Sequence, residues 1–291
     1  MRIVPSSLVN LEVVSDTQAG RNIMTEAAKN EALVLRSDDR GIATLTLNRP
    51  DAFNTLSTPL MLELKAHLAA LKDDTSIRVV VITGAGKAFC AGHDLNEMRA
   101  DPSEAAMQKM FSLCTDNMMA MTHLPQPVIA KINGVAAAAG CQLVAQCDLA
   151  IAADHAKFGT SGINVGLYCS TPSVPVTRNL GRKQAMELLM TGDMIPADQA
   201  TEWGLINRAV PADRLDAEVE EMAAKIASKS PDAVALGKDL FYRQLEEGMD
   251  AAYQRAGKAI TCNMQAEATQ AAIDSFLKKS PLADWPDRNN S

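Results

Sequence analysis

What this 291-residue chain has little of narrows its function before any motif is read. Positive charge is in deficit. There are 28 Lys and Arg against 35 Asp and Glu, a formal charge of −7, the reverse of the basic footprint that nucleic-acid binders show. A local basic pocket for an anionic ligand remains compatible with that balance. No apolar run approaches the ~18 residues of a membrane-spanning helix. The six cysteines (Cys90, Cys114, Cys141, Cys147, Cys169, Cys262) are scattered, with no Cys-x-x-Cys pair. They read as reduced thiols of a cytosol-like compartment rather than a disulfide framework. His67, His123 and His155 share no metal-ligand spacing, so no metal is expected.

Two nucleotide signatures are also absent. Gly84-Ala-Gly-Lys87 lacks the GxxxxGK[ST] spacing of a phosphate loop, and Phe89 stands where a dinucleotide GxGxxG needs its third glycine. No signal-peptide core precedes residue 30, and Glu12, Asp16 and Glu26 argue against a mitochondrial-type leader. Residues 1–30 read as a disordered extension, or as the product of a start before the true one at Met24.

What is present is an alternation of strands and helices. Leu33–Arg36 and Ile42–Leu47 flank the turn-like Asp38-Asp39-Arg40-Gly41, a hairpin signal. Ser57-Thr58-Pro59 opens a helix with Leu60, Leu64, Leu68 and Leu71 at helical spacing. Arg78–Thr83, Val128–Asn133 and Leu149–Ala153 read as strands, Asp101–His123 as a methionine-rich helix and Ala136–Gln146 as a helix of small residues. That order implies βαβ units and a largely parallel sheet. Beyond about residue 180 only helices are expected, over Gln184–Met190, Pro196–Trp203, Arg214–Ala227, Asp232–Leu245 and Ala266–Leu277. The expected organisation is an extension at 1–30, an α/β core at 31–195 and a helical region at 196–291.

Two stretches define the site: Val79-Val-Val-Ile-Thr-Gly-Ala-Gly-Lys-Ala-Phe-Cys-Ala-Gly-His-Asp-Leu95 and Val128-Ile-Ala-Lys-Ile-Asn-Gly-Val-Ala-Ala-Ala-Ala-Gly-Cys-Gln-Leu143. Each runs a β-branched strand into unusually small residues, which lets a ligand approach the backbone and its free N–H groups. With Leu47-Asn-Arg-Pro50, Asn54 and Thr191-Gly-Asp-Met-Ile-Pro-Ala-Asp-Gln-Ala-Thr-Glu-Trp-Gly-Leu-Ile-Asn-Arg-Ala-Val-Pro211, these segments resemble the crotonase superfamily from about Leu33 to Pro281. That is the family of enoyl-CoA hydratase/isomerase-like proteins. The segments Ile163-Asn-Val-Gly-Leu-Tyr-Cys-Ser-Thr-Pro172, Gly92-His-Asp-Leu95 and Gly237-Lys-Asp-Leu-Phe-Tyr242 resemble its mitochondrial enoyl-CoA hydratase domain-containing subgroup.

The resemblance implies a crotonase-like ββα spiral core with a C-terminal helical trimerisation region, assembled as a homotrimer or dimer of trimers. It implies a coenzyme A thioester as substrate or ligand, no permanently bound cofactor, and a home in bacterial cytoplasm or, in a eukaryote, the mitochondrial matrix. It places the peptide N–H groups of His93 and Ala139, the latter just before Gly140, as two oxyanion donors. One such donor contributes about 3–4 kcal/mol in enzymes where it has been removed. Ala52, Phe53, Ala91, His93, Asp94, Leu95, Gly140 and Tyr168 are implied contacts to CoA or acyl chain, and Lys278 and Lys279 to CoA phosphates. For the two lysines a solvated helix end is an equal reading. Met107, Met110, Met118, Met119 and Met121 are read as core first and as acyl-channel lining second.

The family's hydratases carry two glutamates, and the matching positions here are Gln142 and Gly162. General acid–base help is typically worth about 10²–10⁴-fold, so ordinary syn-hydration is not expected. Three readings stay open. His93 replaces the base, unless its imidazole turns to solvent or to the CoA phosphates. The site runs base-free enolate chemistry such as acyl-CoA decarboxylation. Or the protein is a non-catalytic acyl-CoA binder. A cysteine nucleophile at Cys169 would need a depressed pKa and a neighbouring base, and the sequence shows neither.

Overall fold

The structure, a computed structural model, describes residues 32–281 and 284–288. The expectation for residues 1–30 therefore lies outside the described residues. A hairpin opens the fold: β1 (Val34–Asp39) and β2 (Ile42–Leu47) pair with Asp39 opposite Ile42. Its two-residue turn needs Arg40 and Gly41 both at positive φ, 46° and 76°, the turn chemistry that matches strand twist.

Then come α1 (Thr58–Asp73), β3 (Val79–Gly84), β4 (Ala88–Cys90), α2 (Leu95–Ala100), α3 (Glu104–His123), β5 (Val128–Ile132), β6 (Val135–Ala137) and α4 (Ala139–Gln146). β7 (Leu149–Ala153), β8 (Lys157–Gly159), α5 (Ser170–Asn179), α6 (Arg182–Thr191), β9 (Ile195–Pro196), α7 (Ala197–Trp203) and β10 (Arg208–Val210) follow. The chain continues through α8 (Leu215–Ala227), α9 (Pro231–Gln244), α10 (Met249–Gln265) and α11 (Glu267–Leu277).

Two sheets result, in the orders β1-β2-β3-β5-β7-β10 and β4-β6-β8-β9. Apart from the hairpin, the larger sheet is parallel. Its central strands are apolar on both faces because both are covered. Val80, Ile82, Val128, Ala130, Ala150 and Ala152 face the main core, whereas Val79, Val81, Ile129, Ile151 and Ala153 meet Leu215, Val219 and Ala223 of α8.

The second sheet corrects two expectations. Residues 136–137, expected in a helix, pair in β6 with Phe158 and Gly159 of β8, so α4 starts only at Ala139. The region past residue 180 also holds two short strands, β9 and β10, and β10 closes the main sheet against β7. Asp101–His123 divides as well: Asp101 ends α2, and Ser103 caps α3 through Ala106 N–H. Met110, Met118 and Met121 are buried in the core while Met119 is exposed.

α9 is fastened by a buried amine. Lys238 Nζ donates to Met121 O (2.8 Å), Gln126 O (2.9 Å) and Asp148 Oδ2 (2.6 Å), and Tyr242 Oη donates to Asp148 Oδ1 at 2.7 Å. The Gly237–Tyr242 segment is thus a docking clamp. Among the described residues α10 and α11 bury no side chain fully, and Met249, Tyr253 and Phe276 are each about three-quarters exposed. No helix of the described residues is long and apolar enough to cross a membrane.

Candidate active site

The two small-residue segments meet at the start of α4. A methyl group added to Gly140 would fall 1.9 Å from Cys90 O, and one on Gly92 would fall 3.4 Å from Ala139 N. Only glycine permits the first approach, and Gly92 also holds φ +102°.

Backbone hydrogen bonds aim the N–H groups. Gly92 O accepts Leu56 N–H at 2.8 Å, and Asp94 N–H donates to Leu56 O at 3.3 Å. This bridge skips the N–H of His93. In a planar trans peptide the N–H points opposite its carbonyl, so the His93 N–H is turned away from Leu56. At the second position Ala138 O accepts Gln142 N–H at 3.1 Å, which leaves the Ala139 N–H facing out of the first helical turn, where no intrahelical acceptor exists. Ala138 reaches this geometry at φ 49°, ψ −116°, a conformation costly for a residue with a Cβ and held by its N–H to Gly159 O at 2.8 Å. A backbone N–H left without an intramolecular acceptor at a helix start can receive an oxygen that gains negative charge.

Around these donors stands the loop before α1. Phe53 and Asn54 both lie in the left-handed region, at φ 50° and 55°. Phe53 O accepts Ala91 N–H at 3.0 Å, and the Phe53 ring is exposed. The fully buried Asn54 amide donates to Ala85 O and Ala88 O, both 2.8 Å, and its Oδ1 accepts Arg49 N–H. Ala52 is half-buried beside it and Leu95 is exposed. Asp94 has neither oxygen idle. Oδ1 caps α2 through Asn96 and Glu97 N–H, and Oδ2 takes Arg49 Nη2 at 3.0 Å.

His93 turns inward, not to solvent. Its ring meets Phe111 of α3 edge-on at 5.2 Å, and its Nε2 is buried without a partner. Burial pulls its pKa down to about 4, against a small opposing effect of Glu97, so the imidazole is neutral near pH 7. Phe111 escaped the sequence reading because its contact with His93 joins residues 18 positions apart through α3 packing.

Gln142 is buried, and its Oε1 has no hydrogen-bond partner. Gly162 is no open vacancy: a Cβ there would sit 2.5 Å from Leu167 O and 3.0 Å from Cys169 Sγ. The turn is tied by Leu167 N–H to Gly162 O at 3.0 Å. Burial raises the Cys169 thiol pKa, which a backbone hydrogen bond from Gly162 only partly offsets. That is the wrong direction for a nucleophile. Tyr168 is partly exposed at the rim of this turn. Lys278 and Lys279 stand exposed beyond α11, Lys278 paired with Asp274 at 3.6 Å.

Comparison with known proteins places the chain among relatives. Residues 37–288 match the family described as enoyl-CoA hydratase/isomerase. The chain is 40% identical over 239 residues to the human enoyl-CoA hydratase domain-containing protein 3, mitochondrial, covering 82% of this chain and 79% of that protein. It is 34% identical over 259 residues to the crotonyl-CoA hydratase of Syntrophomonas wolfei, covering 86% and 96%. The crystal structure of an enoyl-CoA hydratase from Mycobacterium smegmatis superposes with a TM-score of 0.86 at 51% identity, covering 87% of this chain and 99% of that one.

Proposed function

The chain belongs to the enoyl-CoA hydratase/isomerase family, and on that premise we propose that it binds acyl-CoA thioesters and polarises their carbonyl between the N–H groups of His93 and Ala139, without the carboxylate pair that drives syn-hydration. The observation that carries this reading is the approach of Gly92 to Ala139 N. It brings the residue before His93 close to the first N–H of α4, which supports a shared ligand oxygen. Such donors favour the enolate form of a thioester, because charge that moves onto the carbonyl oxygen is met by dipoles already in place.

The acid–base half supports the second part. Gln142 offers a neutral amide where a proton donor or acceptor would be needed, and the space beside Gly162 is filled by backbone and sulfur. Chemistry suited to such a site needs enolate stabilisation and no strong base. Loss of CO₂ from a carboxylated acyl-CoA is one case, since the departing group leaves its electron pair on the substrate. The neutral, unpartnered Nε2 of His93 favours a second reading, in which it accepts the proton. A pKa of about 4 makes it a weak base with little driving force.

For the assembled protein we infer a homotrimer or a dimer of trimers. The exposed Met249, Tyr253, Ile260, Phe276 and Leu277 of α10 and α11 support it, because apolar surface of that extent calls for a partner. Lys278 and Lys279 remain candidates for CoA phosphates.

The test offers the purified protein crotonyl-CoA and a set of carboxylated acyl-CoA esters, and measures binding beside turnover. Binding with no crotonyl-CoA hydration is the expected result. Hydration at a competent hydratase's rate that disappears in His93→Ala, with binding kept, would replace the first reading by the second. Absence of thioester binding would remove both.

A further inference from the structure

We propose that Arg49 and Asp94 are positioning residues for the His93 donor, clamping the short bridge that sets the direction of its N–H. This rests on the oxyanion reading above and adds what holds it in place.

The two segments are joined by Ala91 N–H to Phe53 O and, flanking the His93 N–H itself, by Leu56 N–H to Gly92 O and Asp94 N–H to Leu56 O. None of these bonds is made by the His93 N–H, so its direction depends on how firmly the neighbours on either side are held. The Arg49 guanidinium spans them from outside. Its Nη1 donates to Thr55 O at 2.9 Å and Thr55 Oγ1 at 3.0 Å, and its Nη2 donates to Asp94 Oδ2 at 3.0 Å. Thr55 precedes Leu56, and Asp94 follows His93. One planar, five-donor group therefore grips both strands of the bridge, at the residue before Leu56 on one strand and at the bridge donor Asp94 on the other.

The pair is anchored in turn. Asp94 Oδ1 caps α2, and Glu97 of α2 accepts Thr58 N–H at the start of α1 through Oε2 at 2.8 Å. On the other side Arg49 N–H is held by Asn54 Oδ1 at 2.9 Å. The Arg49 and Asp94 side chains are only 23% and 13% exposed, so the contact is screened from solvent more than a surface ion pair is. Both Asp94 carboxylate oxygens are thus engaged within the fold. Beside its implied role as a CoA contact, this gives Asp94 a role one bond removed from the reacting carbonyl. Donor placement needs roughly 0.5 Å and 10–20° to be effective, so a loosened clamp acts on the carbonyl without touching it.

The test compares two ligands that differ at one carbon: butyryl-CoA, and S-butyl-CoA, the thioether with CH₂ in place of the carbonyl. Neither can be hydrated. The wild type is expected to bind the thioester more tightly and to lower the carbonyl stretching frequency of ¹³C-labelled butyryl-CoA. Arg49→Met should weaken butyryl-CoA binding by up to roughly tenfold, the order of one hydrogen bond's net contribution. It should leave S-butyl-CoA binding within about twofold and return the stretch toward its free value. Asp94→Asn keeps an acceptor for the α2 cap but turns an N–H₂ toward Arg49, and it should act in the same direction. It carries the test if Arg49→Met does not fold.

Equal losses for both ligands would mean a merely structural or CoA-contacting role and overturn the proposal, as would an unchanged carbonyl stretch in both variants. A wild type that fails to distinguish thioester from thioether would overturn the oxyanion reading itself, and the clamp with it.

Discussion

The two halves of this site are made of different materials. The donor half is backbone, aimed by peptide planarity, two close glycine contacts and a bridge at Leu56. The acid–base half is a matter of side chains, and there the chain has an amide at Gln142 and no side chain at Gly162. Backbone donors survive side-chain replacement as long as the fold keeps its close approaches. A carboxylate is lost in a single substitution. On the function proposed above, that difference lets thioester recognition persist without the proton-transfer groups.

The largest effect is expected where the donor half is broken through its packing. Gly140→Ala forces a Cβ to 1.9 Å from Cys90 O, so β4 and α4 must part. Thermal or urea unfolding should show a loss of roughly 4 kcal/mol or more, the range of severe core disruptions, with thioester binding lost. The acid–base half should resist repair. Gly162→Glu meets Leu167 O at 2.5 Å, and unfolding should register a cost of about 1–3 kcal/mol, as overpacking does. Gln142→Glu, alone or combined with it, should yield no competent hydration of crotonyl-CoA, since a buried unpartnered carboxyl favours its neutral form. Robust hydration by the double variant would show that the loop yields and that only carboxylates are lacking.

His93 bears on both halves, its N–H on one and its ring on the other. Its folded pKa of about 4 lies below the ordinary value of 6.5, so the folded state resists protonation more than the unfolded chain does. Stability contributed by the neutral ring is complete above pH 6.5 and is lost as pH falls toward 4. Allowing for the partly exposed ring, a loss on the order of 2 kcal/mol is expected across that window, and His93→Phe should abolish it. The smallest effect sharpens the comparison most. His93→Ala removes the ring but keeps the N–H, and butyryl-CoA affinity should stay within about threefold, less than the roughly tenfold expected of a hydrogen bond lost outright.

Much of this was legible in the sequence. The hairpin, α1 with its Ser57 cap, and the β3, β5 and β7 strands were carried by turn residues and continuous β-branched runs. Ala136 and Ala137 were misread as helix because alanine propensity is weak evidence against pairing on both edges, with β4 and β8. β10 is three residues long and takes its identity from β7. α5 is disguised by Pro172 and Pro175, and α10 has no buried stripe to reveal it. In the site, small residues and the family resemblance single out the two segments that the fold brings together at Gly92 and Ala139. The roles of Arg49, Phe111 and the filled space at Gly162 depend on contacts between distant segments, which no local pattern encodes.

The most direct test of the account is the enoyl absorbance of crotonyl-CoA mixed with enough protein to saturate binding. The account predicts that the thioester binds and the absorbance persists, at least ~10³-fold slower to decay than with a carboxylate-bearing hydratase. Rapid decay at a competent hydratase's rate would contradict it, and would mean that the side-chain half of the site has been rebuilt from other residues.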